Sequence, residues 1–112
     1  MTEHIIRLLM IAVIQDQDLD AASKALKELG IGVTYLSSAG GFLRRRNATL
    51  LIGLSEAQED AALTALRTAC RQRIEYMTLP LEGTPMSIPA PVPVTVGGAK
   101  VFALPVERFE EI

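Results

Sequence analysis

One stretch of the chain is denser in chemistry than any other: Thr34-Tyr35-Leu36-Ser37-Ser38-Ala39-Gly40-Gly41-Phe42-Leu43-Arg44-Arg45-Arg46-Asn47. Its adjacent glycines let the backbone bend so that successive N–H groups converge, a nest that can hold a phosphate without a lysine. Phe42 follows at once, in a chain with only two tyrosines and three phenylalanines. An aromatic ring beside such a nest can stack on a base, a contact worth about 1–3 kcal/mol. Asn47 carries both a donor and an acceptor, which matches the edge of adenine. The same residues also suit a solvated hairpin loop in which Phe42 plugs the core and the three arginines face water. Residue chemistry alone does not choose between the two.

The other candidates are structural. Asp16-Gln17-Asp18-Leu19-Asp20 begins like a calcium loop, but Ala21 stands where the turn glycine is needed and Lys27 where the bidentate glutamate belongs. There is no Gly-Lys-Ser/Thr ending, so no triphosphate P-loop; Gly97-Gly98-Ala99-Lys100 suits a hairpin turn instead. His4 is the single histidine, which removes the usual triads and most transition-metal sites, and no metal is expected. Cys70, the single cysteine, excludes an intrachain disulfide and falls on the apolar side of a helix, where an inert thiol is expected. No general base or nucleophile stands near the glycine loop, so the chain is not expected to be an enzyme.

These residues are positioned by a chain of 112 residues, long enough for one domain over 1–112. Hydrophobic residues at 49% and charged residues at 21% mark it as globular. A net charge of −2 gives no footprint for DNA. The apolar run 5–14 has no basic leader and no small-residue cleavage site, and it is too short to span a bilayer. It is read as a buried strand, which with the lone thiol points to a cytoplasmic protein without a membrane partner.

Periodicity then divides the chain. After a first strand over 5–13, Asp16 or Asp18 is placed to cap a helix carrying Leu19, Ala22, Leu26 and Leu29, and Gly30 stops it. A strand over 32–37 and another over 48–54 flank the glycine loop. Ser55 with Gln58 forms a capping box for a second helix, buried through Ala62, Leu63, Leu66, Ala69 and Cys70, with Arg67, Arg71 and Arg73 toward its C-terminal end. A fourth strand spans 74–79. Two successive βαβ units of this length predict an α+β, ferredoxin-like βαββαβ core. Beyond the Pro- and Gly-rich segment 80–93, strands over 92–96 and 101–104 with Gly97-Gly98 between them predict an additional C-terminal β-hairpin, and 106–112 a short tail.

Both helices of such a fold cover one face of the sheet. Yet the run 5–14 and Leu50-Leu51-Ile52 show almost no polar alternation, so the opposite face is apolar as well and self-association is expected. Closure of that face by the terminal hairpin is the alternative.

Three segments together resemble the cyclic di-AMP receptor family, a PII-like group of signal transduction proteins. They are Val13-Ile14-Gln15-Asp16-Gln17-Asp18; Gly40-Gly41-Phe42-Leu43-Arg44 with Asn47 after it; and Pro91-Val92-Pro93-Val94-Thr95-Val96-Gly97-Gly98-Ala99 with Val101-Phe102 and Pro105-Val106. The resemblance runs from Met10 to Phe109. It implies a homotrimer with ligand sites in the clefts between subunits and no resident cofactor, the second messenger cyclic di-AMP being the ligand. Carried over by position, Thr34 reaches a phosphate, and Gly41, Phe42 and Leu43 hold the base and its backbone-bound oxygens. Asn47 then reads adenine, Gly53 keeps the pocket floor open, and Phe102 lines the cleft from a neighbouring subunit.

The chain departs from the family pattern at three positions. Gly30 and Gly32 stand where an asparagine and an arginine are common, and Glu111 where a glutamine is. Each lost charge-assisted contact costs about 1.5–3 kcal/mol. Three readings therefore stay open: a non-catalytic cyclic di-AMP sensor whose loops reorganise and signal to a downstream protein; a PII-like trimer for another adenine nucleotide such as ATP or ADP; and a ligand-free protein-interaction module.

Overall fold

A computed structural model of the chain describes residues 5–37, 47–79 and 90–112. The elements in order are β1 (Leu8–Gln15), a 3-10 turn (Asp16–Asp18), α1 (Leu19–Glu28), β2 (Gly32–Ser37), β3 (Asn47–Leu54), a second 3-10 turn (Glu56–Gln58), α2 (Glu59–Ala69), β4 (Arg73–Leu79), β5 (Ala90–Val96) and β6 (Ala99–Pro105). This is the α+β succession expected from the periodicity. The glycine loop with Gly41, Phe42, Leu43 and the three arginines, the segment 80–89 and His4 lie outside the described residues.

β1 and β3 pair antiparallel from Leu8↔Leu54 to Gln15↔Asn47, and β2 pairs along the other edge of β3. Side chains alternate between the faces. Met10, Ala12 and Ile14 from β1 and Ala48, Leu50, Ile52 and Leu54 from β3 are sealed against Ala22 and Leu26 of α1 and Ala62 and Leu66 of α2. Full burial of each Leu or Ile there contributes about 1.5–3 kcal/mol. Leu9, Ile11, Val13 and Leu51 point the other way and are only half-buried. The strands read as continuously apolar because both faces are apolar, while helices cover only one.

The helix ends follow their local chemistry with one correction. Gly30 adopts φ +74° and Ile31 N donates to Leu26 O at 3.1 Å, a left-handed stop. The Ser55/Gln58 capping box forms, with Ser55 N donating to Gln58 Oε1 at 3.0 Å. Neither Asp16 nor Asp18, in contrast, caps α1 through a side-chain hydrogen bond. Asp18 is buried and accepts from Arg73 Nη2 at 2.9 Å, because a buried carboxylate gains more from a cation than from a backbone amide. Leu29, expected in the buried stripe, is exposed beyond the last turn of α1.

The terminal strands form where expected but pair differently. Among the described residues β5 and β6 do not make a hairpin. β6 pairs with β1 from Leu8↔Pro105 to Ile14↔Ala99 and completes the sheet order β2-β3-β1-β6, while β4 and β5 form a separate two-stranded sheet. β6 thus widens the sheet instead of folding across its open face. The physical reason lies at the double glycine. Gly97 and Gly98 have φ +89° and +91°, but Gly97 N donates to Gln15 Oε1 at 2.8 Å and Gly98 N to Cys70 O. The turn is docked on β1 and on the end of α2, which sends the chain from the β4–β5 sheet onto the edge of β1.

The β4–β5 pair leaves Ile74 64% and Tyr76 70% exposed. A two-stranded sheet with uncovered apolar side chains is marginal on its own. The radius of gyration is 18.2 Å, against about 13 Å for a compact domain of this length, as expected for a ribbon that stands away from the core.

Candidate functional site

The sheet register decides which candidate residues share a surface. Thr34 lies opposite Leu51, Leu51 opposite Ile11, and Ile11 opposite Phe102. Thr34 and Phe102 therefore stand in one row on the helix-free face, three strands apart, or about 14 Å at ordinary strand spacing. The next row runs Gly32, Gly53, Leu9 and Leu104. Asn47, opposite Gln15, is on the same face at the far end of β3, about 20 Å from Gly53 along the strand. All four described candidates share the open face. A single copy does not bring them together.

Thr34 and Gly53 do meet, with Gly30 and Gly32, in the wall of a cavity of about 740 Å³. The C-terminal segment closes its other side through Arg108, Phe109 and Glu111, and Val106 N donates to Arg7 O at 2.9 Å to hold that segment in place. The three positions at which the chain departs from the family pattern thus border the same cavity. Gly53 cannot carry a larger side chain without movement, because a Cβ there would sit 3.0 Å from the Ile6 side chain. Asn47 lines a different cavity of about 260 Å³ with Gln15 and Lys100. Phe102 belongs to neither and is 56% exposed on the edge strand β6.

Sequence reasoning missed Arg108 and Phe109. The C-terminal segment has no periodicity to orient it, and only the pairing of β6 with β1 brings it beside β2. Arg108 Nε donates to Glu110 Oε1 at 2.9 Å, and Nη2 donates to the same oxygen.

On the opposite side, a cavity of about 440 Å³ is lined by Arg67, Cys70 and Arg71. Burial first, and then the Asp18 carboxylate, pushes the Cys70 thiol up to about 11 despite the opposing effect of Arg73. A thiol so protonated is a poor nucleophile at neutral pH. Among the described residues no cluster of His, Cys, Asp and Glu could hold a metal ion, and no helix is long and apolar enough to cross a membrane.

Residues 7–112 match the family described as the cyclic-di-AMP receptor. The chain belongs to that family. Membership implies a cyclic di-AMP-binding signal protein, a non-catalytic sensor of PII-like α+β fold. A protein of unknown function from Pediococcus pentosaceus is 36% identical, with a TM-score of 0.75 over 96% of this receptor and 98% of that chain. A DUF3240 family protein from Shewanella baltica shares the fold at 17% identity and TM-score 0.55, over 96% and 98% of the two chains.

Proposed function

We propose that this receptor is one PII-like domain that works as a homotrimer in the cytoplasm and binds cyclic di-AMP in the clefts between subunits. Thr34 and Gly53 of one copy meet the glycine loop's Gly41, Phe42 and Leu43, with Asn47 on the adenine and Phe102 from a neighbouring copy. Filling the cleft orders the loops, and the changed surface is read by a downstream protein.

The observation that carries this reading is the division of the candidate residues over one apolar face that no helix covers among the described residues. Thr34 and Gly53 line one cavity, Asn47 another, and Phe102 neither. A site assembled from two copies gathers them where one copy cannot. The exposed Ile74 and Tyr76 of the β4–β5 ribbon favour assembly for the same reason.

Calorimetric titration with cyclic di-AMP tests it. The expected result is saturable heat at one ligand per chain, since three equivalent clefts serve three copies. The Asn47→Ala and Phe42→Ala variants are expected to weaken binding. Absence of both heat and thermal shift at about 100 μM ligand would remove cyclic di-AMP.

One observation favours a second reading. Gly30, Gly32 and Glu111 all border the cavity of Thr34 and Gly53, so the altered positions sit together where ligand selection would occur. ATP, ADP or another dinucleotide is the ligand in that case. The same titration run against a panel of adenine nucleotides separates the two.

A further inference from the structure

Among the described residues lining the cavity of Thr34 and Gly53, Arg108 is the single cation and Glu111 the single anion. The Arg108 side chain is 81% exposed, and its one ion pair is with Glu110, two residues away. Exposed pairs of that kind are weak and exchange readily for a better partner. The wall of the same cavity is bare at Gly32, whereas the Ile6 side chain lies over Gly53. Gly32 lies opposite Gly53 in the β2–β3 ladder. A Cβ on Gly32 would meet nothing within 4 Å, and its φ is outside the left-handed region, so neither packing nor backbone geometry calls for glycine there. Gly32 opens β2, and a strand glycine with free space beside it leaves room for a ligand or another backbone to approach closely.

We infer that Arg108 is the cation that holds a phosphodiester group of the nucleotide over Gly32, its guanidinium exchanging Glu110 for the phosphate oxygens. The assignment rests on the receptor reading of the same site. The planar guanidinium presents parallel N–H donors to two non-bridging oxygens, a geometry an ammonium does not reproduce. Glu110 competes for the guanidinium and Glu111, in the lining of the same cavity, repels the phosphate, so both acids lower the affinity. Gly32 clears the space in which the phosphate sits.

The test is calorimetric titration of cyclic di-AMP into the full chain and into Arg108→Ala, Arg108→Lys, Glu110→Gln and Gly32→Val, with the melting temperature of each. Arg108→Ala is expected to bind about ten- to a hundredfold more weakly and to lose part of the salt dependence, and Arg108→Lys to recover only part of the affinity. Glu110→Gln frees the guanidinium and is expected to bind about two- to fivefold more tightly, an effect a merely structural arginine would not produce. Gly32→Val keeps its melting temperature, since the added side chain has open room, yet weakens binding. Wild type that binds while Arg108→Ala binds equally well overturns this assignment alone; so does Glu110→Gln binding no tighter than wild type. Wild type that gives no heat overturns the receptor reading and the assignment with it.

Discussion

The two faces of the four-stranded sheet are built from alternate residues of the same strands, and they serve different ends. On one face Met10, Ala12, Ile14, Leu50 and Ile52 are completely covered by α1 and α2. On the other, Leu9, Ile11 and Leu51 stand among Gly32, Thr34, Gly53 and Phe102, with no helix over them among the described residues. Covered side chains hold the fold together. The open face combines apolar area, which favours contact with another surface, with bare and polar positions, which suit a ligand. One period-2 pattern thus supplies both a core and an apolar face that no helix covers among the described residues.

The largest effect that should separate the faces comes from truncating one leucine on each. Leu50→Ala, on the covered face, is expected to cost about 3–4 kcal/mol in urea unfolding. Leu104→Ala, on the open face, should cost the subunit under about 1 kcal/mol and instead make the particle mass concentration-dependent in sedimentation. Equal losses at both positions would erase the distinction between the faces.

Next in size is Gly97→Ala, at the joint between the sheet and the ribbon. A Cβ there would overlap the Arg71 carbonyl oxygen at φ +89°, so a loss of about 3 kcal/mol is expected, with the pairing of β6 and β1 weakened. Hydrogen exchange at β6 checks it, and unchanged protection would mean that the docked turn does not steer the strand.

The smallest effect concerns the covered face and pH. Cys70 has its folded value pushed from 9.0 to about 11, so between those values the folded thiol keeps a proton that the unfolded chain has lost. Its contribution is complete below pH 9 and is lost as pH rises toward 11, by up to about 2 kcal/mol. Cys70→Ala should flatten that part of the stability–pH curve.

Much of this arrangement is legible in the sequence. Gly30 and the Ser55/Gln58 box act within a few residues of themselves and take the conformation their chemistry dictates, while the double glycine takes the expected positive φ without the expected hairpin. What is not legible is choice of partner across long separations. Val101 and its neighbours make a strand whichever edge they join; only the docking of Gly97 and Gly98 on Gln15 and Cys70 sends that strand to β1. Asp18 reads as a cap because its cation is 55 positions away. Family resemblance singles out Thr34 and Gly53, which line one cavity, whereas Arg108 enters that cavity only through the path of β6.

The most direct measurement is methyl NMR of the receptor with and without cyclic di-AMP. Shifts are expected at Leu9, Ile11, Leu51 and Leu104 on the open face, with Ile14, Leu50 and Leu66 on the covered face unmoved. Shifts confined to the covered methyls, or none at saturating nucleotide, would contradict binding on the open face.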